Sequence, residues 1–174
     1  MPKSHFKLPA PQSDKENCVA HNGSIVPVPG RDLFVQAWYQ GGISVIDFSD
    51  PANVKEIAYF DRGPVDKDQL ITGGHWSADW YRGRIYATEI ARGIDVFALA
   101  PSEFLTAAEI AAAEAAQYPG DVFNPQTQTQ ITWPAGVAAA AEASRGERLM
   151  RTANRCTLQR NGLRSRQPGE LRWH

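Results

Sequence analysis

Two histidines and one cysteine carry the plainest chemical potential in this 174-residue chain. Cys18-Val19-Ala20-His21 has C-x-x-H spacing, half of a zinc site, because a thiolate and an imidazole three residues apart can reach one tetrahedral ion. A second half is lacking: His5 and His75 stand alone and no C-x-x-C occurs. The competing reading is a small buried thiol beside a histidine that opens a strand. Asp47 and Asp95 invite a carboxylate-pair reading for acid–base work. They do not correspond in the repeat described below, however, and Asp47-Phe48-Ser49-Asp50-Pro51 reads as a strand end where acidic side chains cap a turn. Glu89 falls in mid-strand on the side of Ile85 and Ala87, where an unpaired carboxylate is costly, so Arg84 or Arg92 is expected as its partner. The chain has no G-x-S-x-G, no H-E-x-x-H, no phosphate-cradling G-x-x-x-x-G-K and no dinucleotide fingerprint. Neither a catalytic residue nor a cofactor is assigned, and His21 and His75 stand as the candidate metal residues.

The element that must position these residues is written twice. The run 33–48, with Val35-Gln36-Ala37-Trp38-Tyr39-Gln40-Gly41-Gly42-Ile43-Ser44-Val45-Ile46-Asp47 at its heart, returns as 84–99 when Gly42 is aligned with Gly93, an offset of 51 residues. Each copy is a β-rich run, a turn ending in glycine and a second β-rich run, which predicts an antiparallel hairpin. Self-similarity at roughly 40–50 residues, one small sheet per repeat, is the sequence form of a β-propeller blade. Before the first hairpin, 25–28 is extended and Pro29-Gly30-Arg31-Asp32 turns. Pro27 withholds a ladder donor, so that strand should lie where one donor can go unpaired. Lys55 to Phe60 completes four strands. The second repeat opens at His75, turns at 81–83 and runs to Leu99, where a fourth strand is missing and a helix follows instead. Thr106 with Glu109 forms a capping box, Leu105 with Ile110 a hydrophobic staple, and Pro119-Gly120 a stop. Because the first strand of a blade lines the central channel, His21 and His75 could contribute to a ring of imidazoles there; the alternative is a hydrogen bond from each ring to a neighbouring blade's backbone.

The expected organisation is an extended leader over 1–20, two propeller-type blades over 21–100, a capping helix over 101–120 and a low-order arginine-rich tail over 121–174. The fold class is mainly β, an incomplete propeller followed by a short α-helix and a disordered tail. Two blades cannot close a ring, since about four are the usual minimum. Further blades are therefore expected, or other copies of the chain at open sheet edges. The net charge of −1 hides a division: eight arginines from Arg145 onward face only Glu147 and Glu170, while all five lysines lie at or before Lys67. Such a tail could grip phosphates. It lacks the interleaved aromatics of a specific nucleic-acid module, and a shifted frame in a GC-rich gene would give the same composition. Cys18 and Cys156 define no disulfide framework. There is no signal-peptide h-region and no run of about 18 apolar residues to span a bilayer.

The run 18–24, the core at 35–47, and Gly73-Gly74-His75-Trp76-Ser77 followed by 89–97 resemble the C-terminal blades of bacterial LVIVD-repeat proteins. In that family an apolar strand ends in aspartate, here Ile43-Ser44-Val45-Ile46-Asp47. The resemblance covers roughly residues 4–125. It implies a larger propeller that is secreted or displayed at the cell surface, and it implies no particular reaction. The leading expectation is a non-catalytic segment of an exported binding or adhesion scaffold with a protein or glycan ligand. The alternative is a metal-binding or hydrolytic propeller whose site sits on the channel axis.

Overall fold

The computed structural model describes residues 4–116 and 132–133, and the backbone of 169–170 and 172–173. The first sheet is an antiparallel meander of β1 (Gly23–Val26), β2 (Leu33–Ala37), β3 (Ile43–Asp47) and β4 (Lys55–Phe60). The second is the meander of β5 (His75–Tyr81), β6 (Arg84–Glu89) and β7 (Gly93–Ala98), after which comes α1 (Ala107–Ala115). Two-residue strands near the end of the chain extend both sheets. β8 (Gly169–Glu170) runs parallel to β4, and β9 (Arg172–Trp173) runs antiparallel to β7, where the repeat lacks its fourth strand. Among the described residues the fold is thus mainly β, two sheets and one short helix, and the sheets do not close on each other.

Local chemistry explains the turns. Gly42 and Gly93, the residues on which the repeats align, both take positive φ, +78° and +99°. Gly41, beside Gly42, takes no positive φ. It is held to glycine by space, since a Cβ there would lie 2.6 Å from Leu8 and 3.1 Å from Cys18, while Tyr39 takes the second positive φ of the turn, +51°. Arg82 and Gly83, at +43° and +82°, form the two-residue turn whose twist suits a hairpin. β1 ends at Val26, before Pro27, and lies at the sheet edge as the missing donor requires. Both halves of the capping box at α1 are formed, and Leu105 and Ile110 are buried. The helix ends at Ala115, and Pro119-Gly120 lies outside the described residues.

The registers of the two hairpins coincide. Val35 pairs with Val45 in the first, and their counterparts 51 residues later, Tyr86 and Val96, pair in the second. One apolar core joins the sheets: Leu33, Val35, Ile43 and Val45 of the first meet Trp80, Ile85, Ala87 and Phe97 of the second, with Leu105, Ile110 and Ala113 of the helix closing one end. Arg31 secures that end by donating to Asp47 on β3, to Glu109 on α1 at 3.0 Å and to the Phe104 carbonyl at 2.9 Å. The sheets are also stitched through main chain. Tyr39 N–H donates to the His75 carbonyl at 3.0 Å and His75 N–H to the Tyr39 carbonyl at 2.8 Å. Gly74 sits against this stitch with φ +90°, and a Cβ there would fall 2.0 Å from the Tyr39 carbonyl carbon.

Candidate functional site

The stitch sets His75 at the start of β5, with its ring buried between the Phe60 and Phe97 rings, each with its centroid 6.1 Å away. Its Nε2 lies 2.8 Å from Asp95 Oδ2 on β7. Arg62, from the loop after β4, donates to both oxygens of the same carboxylate at 2.8 and 2.9 Å. Burial opposes the Asp95 charge, but the bonds from Arg62 and His75 and the guanidinium's positive charge outweigh it and hold the carboxyl below its ordinary pKa. For His75, burial outweighs the pull of Asp95 and Glu89 and lowers the ring's pKa. A neutral imidazole beside an ionised carboxylate must donate its Nε2 proton to it, since the carboxylate only accepts.

Glu89 is the cross-strand neighbour of His75. Its Oε1 accepts the Gly74 N–H, which fixes the strained approach to the stitch, while Oε2 is buried with no hydrogen-bond partner among the described residues. Arg92, one of the two expected partners, reaches Glu89 only at 3.5 Å, and the other, Arg84, instead lies 3.7 Å from Glu114 on α1. Asp47 caps a turn as expected, accepting the Ser49 N–H at 3.0 Å. Asp95 does not: it lies inside β7, bonded to Arg62 and His75. Its one sequence signal is the period-2 alternation that sets it on the side of Phe97.

A carboxylate-oriented histidine is the core of many general bases. Here the ring is buried, and the nearest serine of its strand, Ser77, has its hydroxyl engaged with Thr88 at 3.0 Å. The geometry orients and braces.

His21 is not joined to His75. Its Nδ1 lies 2.6 Å from the Trp76 carbonyl of the second sheet, and its ring stacks on the Trp76 indole with centroids 4.0 Å apart and Tyr39 edge-on at 5.0 Å. This is the bond to a neighbouring sheet's backbone that competed with the metal reading. At Cys18, burial, and then the charges of Glu16 and Asp61, push the thiol up to about 11, so at neutral pH the free side chain stays protonated and is a poor nucleophile. Among the described residues, no three His, Cys, Asp or Glu side chains converge as a metal ion requires. Cys156 and Arg145 to Arg166 lie outside the described residues, and no described helix is long and apolar enough to cross a membrane.

The second sheet has a different character on its outer side. Tyr81, Tyr86 and Ile94 are 47%, 41% and 67% exposed there, while Trp76, 47% exposed, packs against His21 and Tyr39. Tyr86 stands in register between Asp79 on β5 and Val96 on β7. Spread over three strands, these residues have no sequence spacing that announces a shared face. Sequence reasoning missed Gln40, whose buried amide accepts from Val65 N–H and donates to the Ile71 carbonyl, shaping the loop that carries Arg62. Compared with known proteins, the chain matches no family model, no curated protein and no solved structure.

Proposed function

We propose that this protein is a non-catalytic β-repeat segment of the propeller type, acting as a scaffold that offers sheet surface to partners within a larger exported binding or adhesion protein. The outer face of the second sheet carries this reading, because Tyr81, Tyr86 and Ile94 share one exposed surface there, and clustered exposure of that kind marks interaction sites. The inward-facing charged groups support it as well: Arg31, Asp47 and Glu109, and Arg62, Asp95 and His75, bond to one another across elements. Their chemistry is spent on holding the sheets and the helix together. The rival, a metal-binding or hydrolytic propeller with its site at His75, draws on the orientation of that ring by Asp95. Metal analysis of the purified full chain and of a His75→Ala variant separates the two. The scaffold reading expects no stoichiometric metal in either protein. A stoichiometric metal in the parent that is lost in the variant overturns it.

A further inference from the structure

The second repeat is extended by a distant part of the chain, and in the register of the first. In the first repeat β3 carries β4 along its length: Ile43 stands opposite Phe60, Ser44 opposite Tyr59, Val45 opposite Ala58, Ile46 opposite Glu56 and Asp47 opposite Lys55. Shifted by 51 residues, Ile46 and Asp47 become Phe97 and Ala98, and opposite these stand Trp173 and Arg172. β9 therefore takes two places of the missing fourth strand, antiparallel as β4 is. The same stretch also reaches the other sheet, with only position 171 between, since Gly169 and Glu170 pair with Ala58 and Tyr59 of β4. One short segment touches both rims because they converge. The Phe60 and Phe97 rings lie 4.8 Å apart, and Arg62, just past β4, bonds to Asp95 on β7.

We infer that the rim of β7 is a strand-binding site: residues 169–173 hold it as an internal ligand, and an extended segment of a partner protein replaces them by pairing antiparallel along β7. The internal hold is slight. β4 offers β3 five paired residues where β9 offers β7 two. Among the described residues no strand stands opposite Ile94, Asp95 and Val96 on that side of β7. A backbone hydrogen bond gains little net in water, and ordering each residue that makes it costs entropy of similar size, so a two-residue strand is held marginally. A strand as long as β4 makes the same bonds and more. In such an added strand the main-chain bonds supply the attraction, and contacts under alternate side chains supply the selection. β4 shows what fits, because it fills the equivalent rim with Ile57 and Ala58 buried and Tyr59 exposed. The fitting partner is an extended segment with a short apolar centre of this kind. The site is the edge of the second sheet and not its exposed outer face, so failure here leaves the docking face untouched.

The test uses the full chain and a fluorescein-labelled peptide with the sequence of residues 54–61, which contains β4. In the parent the peptide competes with the tail. In an Arg172→Pro/Trp173→Pro variant the tail no longer pairs, because successive N–H groups of a strand point to opposite sides and the two prolines remove whichever one faces β7. The expected result is weak binding to the parent, with a dissociation constant of about 1 mM, and binding about tenfold tighter to the variant. Hydrogen exchange across 93–98 is expected to quicken in the variant and to slow again when the peptide is added. The same peptide with Ala58→Pro should not bind. Should the double variant fail to fold, Arg172→Pro alone makes the same comparison. Absence of binding to either protein, or binding that leaves 93–98 unprotected, overturns the strand site. Equal affinity for parent and variant, or exchange across 93–98 indifferent to the prolines, overturns the tail as its occupant. A parent that sediments as a dimer, and as a monomer once the prolines are present, overturns the internal ligand in favour of a second copy's segment.

Discussion

Removing the Asp95 carboxylate leaves a buried imidazole and a partly buried guanidinium that have each lost an ionic partner. An Asp95→Ala variant is expected to lose about 3 kcal/mol in urea denaturation, within the range for breaking a buried pair from one side. A loss below about 1 kcal/mol, the level of an exposed pair, would mean that the bonds to Arg62 and His75 contribute little. The same residues predict the response to acid. The His75 ring has a folded pKa below its ordinary 6.5, so the unfolded chain takes up a proton first as pH falls. Its contribution is present above 6.5 and drains away as pH drops toward the folded value. Asp47 and Asp95 lie below their ordinary 3.8, so their contribution holds above that value and disappears only as pH falls through the lower folded values. Stability should therefore fall in two stages on acidification. His75→Gln, which keeps a donor toward Asp95 but cannot titrate, should abolish the first stage in urea melts taken between about pH 7.5 and pH 5. An unchanged first stage in that variant would remove His75 as its source.

At the scale of elements, the two aligning glycines separate conformation from space. Both have positive φ, yet a Cβ on Gly42 would lie 1.9 Å from the Phe60 carbonyl, whereas a Cβ on Gly93 meets nothing within 4 Å. Gly93→Ala should cost about 1 kcal/mol, the price of left-handed backbone alone, and Gly42→Ala several times more. Equal losses in thermal melts would refute this. Thr106→Ala, which removes the N-cap of α1, should cost about 1 kcal/mol and reduce the helical circular dichroism. These features were legible in the sequence because they are local: a glycine closing a hairpin, an Arg-Gly turn, a threonine three residues before a glutamate. The links between elements were not. Arg31 reaches Glu109 across 78 residues and Arg62 reaches Asp95 across 33, and no spacing rule connects them. Which side chains meet follows from which sheet faces which, and that emerges only once both hairpins share a core. For the same reason the sequence pointed to His75 but not to its brace, and to the Glu89–Arg92 pair but not to the shorter bond from the Gly74 backbone.

For the molecule as a whole, both sheets and the helix draw on one apolar cluster, so neither sheet has a core of its own to fall back on. Tryptophan fluorescence and far-UV circular dichroism should therefore report a single coincident unfolding transition, and two separated midpoints would contradict a shared core. The main-chain stitch between Tyr39 and His75 has a further consequence. Bonds between peptide groups take no notice of side-chain identity, so the crossing survives almost any replacement at position 39 that tolerates the turn. Gly74 has no such latitude, since any side chain there would collide with the Tyr39–Gln40 peptide. A duplicated hairpin can drift in composition along its whole length and still keep its grip on its twin, provided one hydrogen atom at one crossing is never traded for carbon.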